Sequence, residues 1–289
     1  MIAATEGLTT DIHFRASDGF PLAATIVEGT GNGPLALISS ATATPRTFYL
    51  KFAKALVAAG FRAAMVYDYR GIGGSRVPGD WKEPLRKRQW AELDFIAAIE
   101  TLDKLAPGHK MVGIGQSFGT QALGLSHRSE RFARYLMLSA MSGHWRYTDE
   151  PVKVFAMMQL AGVPIAALTG KVPGWIGLGE TMPGRVYRDW ARWSRSKHYF
   201  FNDTSFDARA AFSSVKTPIL AIRPSDDVWG TARAEEALLR HYDQAPIERR
   251  VVTPAMAGGP IGHLGFFRSR YAETLWPPAI EWLAGGVRA

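Results

Sequence analysis

The chain of 289 residues contains no cysteine. That excludes disulfides, thiolate metal centres and a cysteine nucleophile, and it leaves the compartment open, with cytoplasmic as the default expectation. Long hydrophobic runs are scarce too. The first twenty residues include Thr9, Thr10, Asp11, Arg15 and Asp18 and hold no apolar segment, so neither a signal peptide nor an N-terminal anchor is expected. The longest apolar stretch, Val154 to Leu168, is interrupted by Gln159, Gly162 and Pro164. It falls short of a membrane span and reads as internal or lid-forming, with apolar helices that suit a homodimer interface as well as a lid. No internal repeat or low-complexity segment is present. Acidic residues are the minority, 26 against 34 lysines and arginines, which gives a net charge of +8. The basic residues are nevertheless scattered, and the densest cluster, Lys82, Arg86, Lys87 and Arg88, is interspersed with Glu83 and Pro84. It reads as a solvated helix face, and no nucleic-acid partner is expected.

What the chain has is ample apolar material, 47% hydrophobic and 11% aromatic, enough for a sizeable core. Extended and helical signals alternate. Asp11 to Phe14 and Leu22 to Glu28 read as strands around the turn Ser17-Asp18-Gly19, and Pro34 to Ser39 and Phe61 to Tyr67 as further strands. Tyr49 to Ala59 and Gln89 to Leu105 carry apolar residues at helical spacing. Arg134 to Ser139, Pro218 to Ile222 and Glu248 to Val252 complete the strands. The alternation predicts an α/β fold with a mostly parallel sheet flanked by helices, where ligands gather at the carboxyl ends of strands. Residues 144–202 break it with Trp145, Trp175, Trp190 and Trp193, several prolines and glycines and no clear strand. They read as a helical cap inserted into a core made of 1–143 and 203–289.

The most informative stretch is Gly113-Ile114-Gly115-Gln116-Ser117-Phe118-Gly119. The apolar run from Lys110 leads into Gly-x-Ser-x-Gly, and Thr120 to Leu125 can continue as a helix. Strand, sharp turn and helix with a serine at the apex make a nucleophile elbow, whose flanking glycines let neighbouring backbone pass. The competing reading is a dinucleotide loop. It is disfavoured because Gly113, Gly115 and Gly119 are spaced one residue too long, and no acidic residue ends a strand about twenty residues on.

A serine hydroxyl needs a base, and the base needs a carboxylate to orient it. In elbow-type sheets the order is serine, acid, histidine, which leaves His241 and His263. His241 sits in the helix-like stretch Ala232 to Tyr242 and reads as a surface or helix-terminal residue. His263 lies in the glycine-rich loop Gly259 to Phe267, after the last strand. The acid belongs in Ser225-Asp226-Asp227, at the carboxyl end of the strand Pro218 to Ile222. Asp227 is preferred by register, with Asp226 as the alternative.

Together with Asp68-Tyr69-Arg70-Gly71-Ile72-Gly73-Gly74-Ser75 after the fourth strand, these segments resemble the α/β-hydrolase superfamily over nearly the whole chain. The likeness is nearest to serine-aminopeptidase-like bacterial members with a cap after the sixth strand. It implies a catalytic triad of Ser117, Asp227 and His263, with the Phe118 backbone amide as one oxyanion donor. The chain departs from the His-Gly that often follows the third strand and reads Ser39-Ser40-Ala41-Thr42-Ala43-Thr44 there. The second donor is therefore assigned to the Ala41 amide, with Thr42 as the alternative. The Asp68 to Ser75 loop is expected to pass near the mouth of the site.

The implied activity is a serine hydrolase that cleaves an ester or related acyl bond of a small, largely apolar substrate through an acyl-enzyme, with no metal or organic cofactor. Met158 and Trp175 of the insertion, and Trp229 after the acid, are the expected substrate-binding residues. Acyl transfer, peptidase, amidase or thioesterase chemistry would use the same triad, and a ligand-binding protein without turnover is the alternative of another class.

Overall fold

A computed structural model of the protein describes residues 7–177 and 179–285. The ends of the expected core, residues 1–6 and 286–289, and Leu178 of the expected cap lie outside the described residues.

In chain order the elements begin with strands β1 (Leu8–Arg15), β2 (Pro21–Glu28) and β3 (Leu35–Ser39), helix α1 (Leu50–Ala58) and strand β4 (Ala63–Tyr67). Helix α2 (Ile96–Leu105) is entered through a π-helical turn at Trp90–Phe95, and β5 (Met111–Gln116), α3 (Phe118–Leu125) and β6 (Phe132–Leu138) follow. Between β6 and the next strand of the main sheet lie α4 (Pro151–Phe155), a π turn at Ala156–Gly162 and α5 (Val163–Thr169). The two-residue strands β7 (Lys171–Val172) and β8 (Met182–Pro183), then α6 (Gly184–Arg195) and α7 (Ala208–Ser213), complete that interval. The chain ends with β9 (Ile219–Pro224), α8 (Ala232–Leu239), β10 (Ile247–Val252), α9 (Pro254–Ala257) and α10 (Trp276–Ala284).

Eight strands form one sheet in the order β1-β2-β4-β3-β5-β6-β9-β10. β1 and β2 are antiparallel to their neighbours, and every other pairing is parallel. β3, β4 and β5 are buried along their whole length, as strands covered on both faces must be. Their alternate residues feed two cores. Leu35, Leu37, Met65 and Tyr67 pack with Trp90, Phe95, Phe118 and Leu123 on one side, and Ala36, Ile38, Ala64 and Val66 with Phe52, Leu56 and Trp276 on the other. β1, on the sheet edge, leaves Leu8, Thr9, Thr10 and Asp11 exposed.

Two sequence expectations fail. Val154 to Leu168 is neither broken nor internal. Pro151–Thr169 runs as one 19-residue helical stretch of mean hydropathy 1.6, long and apolar enough by composition to cross a membrane, with only 22% of it buried. Gly162 closes the π turn, and Pro164 falls in the first turn of α5, where a missing N–H is tolerated. One face is tied to α6, where Gln159 Nε2 donates to the Ala191 carbonyl at 2.8 Å and the Tyr187 hydroxyl to the Met158 carbonyl at 3.1 Å. Val152, Leu160 and Leu168 are exposed. The cluster Lys82, Arg86, Lys87 and Arg88 is also not a uniformly solvated face, because Lys87 is fully buried.

Candidate active site

The sheet sets the site. Ser39 pairs with Gly115, so the loop leaving β3 runs beside the residues that leave β5. At that corner the backbone reverses through Ser117, at φ 51° and ψ −108°. A non-glycine residue there is strained, and such strain persists only where its surroundings enforce it. The enforcement is visible. A Cβ on Gly115 would stand 2.4 Å from the Gly119 carbonyl oxygen, and one on Gly119 would stand 2.2 Å from that of Ser39. Gly119→Ala is therefore expected to cost about 1–3 kcal/mol in chemical denaturation. A curve identical to that of the unaltered chain would show that β3 yields instead.

His263 is carried over the strand ends by the loop after α9. Its Nδ1 lies 3.0 Å and 2.9 Å from the two carboxylate oxygens of Asp227. Asp227 is buried and also accepts the Trp229 and Gly230 amides at 2.9 and 2.8 Å. Burial acts to raise its pKa, but the charge and hydrogen bond of the His263 imidazole, with the Gly230 amide, hold it down at about 2. Asp226 faces elsewhere: its Oδ2 accepts the Ile261 amide at 2.8 Å and pins the base of the histidine loop. His241 lies off the site, stacked on Phe201 with ring centroids 3.6 Å apart, and burial lowers its pKa to about 4.

Ser117, Phe118 and His263 border one cavity of about 160 Å³ with Ala41, Thr42, Thr44, Gln121, Met141, Trp190, Tyr199, Trp229 and Leu264. Among the described residues the Ser117 hydroxyl has no hydrogen-bond partner; such bonds commonly tighten only with substrate in place. Phe118 is the first residue of α3, so its amide has no partner within the helix.

The Ala41 amide, the expected second donor, is engaged elsewhere. Its N–H donates to the Tyr49 hydroxyl at 2.9 Å, and Tyr49 in turn donates to Gln116 Oε1 at 2.6 Å. The Thr42 amide has no acceptor among the described residues, and Thr42 borders the cavity. Gln116 Nε2 also donates to the His263 carbonyl at 2.7 Å, so one side chain beside Ser117 braces both the β3 loop and the histidine loop.

Two of the three expected substrate-binding residues are elsewhere. Met158 is buried against the inner face of its helix and Trp175 is 77% exposed; neither borders the cavity, whereas Trp229 does. The Asp68 to Ser75 loop does not border it either. Asp68 is fully buried and accepts the Arg46 amide and guanidinium at 2.6 and 2.5 Å, while Arg70 pairs with Asp94 at 2.7 Å. The motif is a structural knot. Sequence reasoning missed Trp190 and Tyr199, which close the cavity from beyond β6. Among the described residues no group of three acidic or histidine side chains is placed to hold a metal ion.

No family model matches the chain, and no curated protein matches it in sequence. Solved structures do match. A soluble variant of monoglyceride lipase from Saccharomyces cerevisiae superposes with a TM-score of 0.70 at 13% identity, over 100% of this chain and 98% of that one. This is the α/β-hydrolase fold. The same fold is shared with the α/β hydrolase GrgF from Penicillium sp. sh18, at a TM-score of 0.65, 18% identity and coverage of 97% and 99%. A thermophilic esterase from Thermogutta terrifontis matches at 0.64, 16% identity and coverage of 96% and 100%. In α/β-hydrolase terms Ser117 stands at the elbow and Asp227 and His263 follow in the order of that fold.

Proposed function

We propose that the protein is a serine hydrolase that cleaves carboxylic esters of small substrates. The observation that carries the proposal is the strained Ser117, placed in one cavity with an imidazole whose far nitrogen is held by a buried carboxylate. The esterases and lipase that share the fold support it. In this reading His263 takes the Ser117 proton as Oγ attacks the ester carbonyl. The resulting oxyanion meets the Phe118 and Thr42 amides, and the protonated imidazole returns the proton to the departing alkoxide. Water, deprotonated by the same imidazole, then cleaves the acyl-enzyme, releasing the acid and restoring Ser117. The segment between β6 and β9 acts as a cap that narrows the cavity and sets substrate size.

Intact mass after treatment with a serine-directed fluorophosphonate tests the proposal. One adduct on the native chain and none on Ser117→Ala is the expected result; an unlabelled native chain would remove it. Cavity size adds a second expectation. About 160 Å³ accommodates a group of roughly benzene size. Across a p-nitrophenyl ester series, kcat/KM is expected to peak at acetyl to butyryl and to fall at least ~10-fold by octanoyl. A profile still rising at octanoyl would place the acyl chain outside this cavity.

A further inference from the structure

Lys87 is a buried ionisable group that the mechanism above leaves unused. It sits in the turn before the π-helical entry to α2 and exposes no surface. Its Nζ makes one hydrogen bond, 2.8 Å to Oγ1 of Thr42. Aromatic rings surround the rest of it, with centroids 3.5 Å away for Trp90, 4.1 Å for Phe118 and 5.8 Å for Trp190.

The carboxylate that bears on Lys87 is Asp189 of α6, and its oxygens are occupied by other donors. They accept Arg86 Nε and Nη2 at 2.8 and 3.0 Å and the Lys87 backbone amide at 3.1 Å. An amine in such a place is expensive. Burial drives its pKa well below the ordinary lysine value, against the pull of Asp189, and ring faces offset only part of that cost. A methionine would fill the same space without it.

The side chain stands directly behind Thr42 and Phe118, the residues whose amides the proposed mechanism uses, and both border the cavity of Ser117. Charged or neutral, the amine keeps at least two N–H donors, and the bond runs from Nζ to Thr42 Oγ1. With Nζ as the donor, the proton of the Thr42 hydroxyl is turned away from the amine.

Resting on the serine-hydrolase reading, we propose that Lys87 is a positioning residue of the oxyanion hole. It locks the Thr42 side chain and directs the Thr42 hydroxyl proton toward the cavity, as a third donor to the oxygen that gains charge when Ser117 attacks. A donor of this kind acts in the transition state more than in the bound substrate, so its loss shows in kcat and spares KM.

The test is a double-mutant cycle with Lys87→Met and Thr42→Val, each close in volume to the residue it replaces. Each single change is expected to lower kcat by roughly 10–100-fold with KM within about 2-fold, and the double variant to be no slower than the slower single. Lys87→Met is expected to melt no lower than the native chain, because it removes a buried amine; a residue that merely fills space would show the opposite sign. Multiplicative losses, an unchanged kcat in either single variant, or a loss confined to KM would each overturn the assignment. Should Lys87→Met fail to fold, Thr42→Val decides alone, since it deletes the hydroxyl and keeps the backbone amide. Failure of the underlying reading looks different: a native chain that takes no fluorophosphonate and turns over no ester loses the hydrolase proposal itself.

Discussion

Ser117→Ala is expected to abolish ester turnover while leaving the fold intact. Removing the nucleophile of a triad costs on the order of 10⁶ in kcat, and residual catalysis comes from the oxyanion donors and binding alone. A drop of at least ~10⁴ in kcat is the expected reading in a p-nitrophenyl acetate assay. Stability should hardly move, because the Ser117 hydroxyl makes no hydrogen bond among the described residues and alanine inherits the same backbone strain. Ser117→Gly separates the two effects. It is equally inactive, yet relief of the positive φ should raise stability by about 0.5–1 kcal/mol, less the added entropy of glycine in the unfolded chain. Undiminished turnover in either variant would assign the chemistry to another group.

Asp227→Asn is the second large effect. The asparagine keeps an oxygen for the Trp229 and Gly230 amides, so the turn that carries it survives. What is lost is the negative charge and the acceptor that holds Nδ1–H of His263, and with them the tautomer that presents a basic nitrogen to Ser117. The expected loss is about 10⁴ in kcat with little change in KM. The carboxylate has a stability signature as well. Its folded pKa, about 2, lies below its ordinary value of 3.8. The contribution is therefore complete above the ordinary value and disappears as pH falls through about 2. Acid unfolding of Asp227→Asn should lack that part of the pH dependence. A variant with native kcat would show that His263 is oriented by something other than this carboxylate.

The inner strands of the sheet were legible from the sequence because each is a short apolar run ended by a turn, whereas the edge strands β1 and β10 carry polar, exposed residues. Ser117 and Asp227 could be placed because each follows the end of such a run, and His263 because it lies in the glycine-rich loop beyond the last strand. Legibility fails where distant contacts decide. Nothing within Ser40-Ala41-Thr42 says that the Ala41 amide is taken; that is settled by the hydroxyl of Tyr49, eight residues on. The run of basic residues at 82–88 gives no sign that Lys87 alone is swallowed, since its burial comes from Trp90, Phe118 and Trp190 converging on it. Met158 was misplaced because the π turn at Ala156–Gly162 inserts a residue into the helical repeat and rotates the side chains beyond its start. Trp175 falls in a short turn with no apolar face to join.

The elbow's glycines and its serine answer to different pressures. Gly115 and Gly119 are fixed by carbonyl oxygens of the protein's own backbone, 2.4 and 2.2 Å from any added Cβ, and that demand persists whether or not a substrate is ever turned over. Ser117 is held in its unfavourable conformation by the same neighbours and returns nothing to the fold in exchange. A lineage that abandoned catalysis would thus keep both glycines and release position 117, where glycine would relax the chain. Among proteins built on this corner, the glycine spacing records ancestry, and the residue between them records activity.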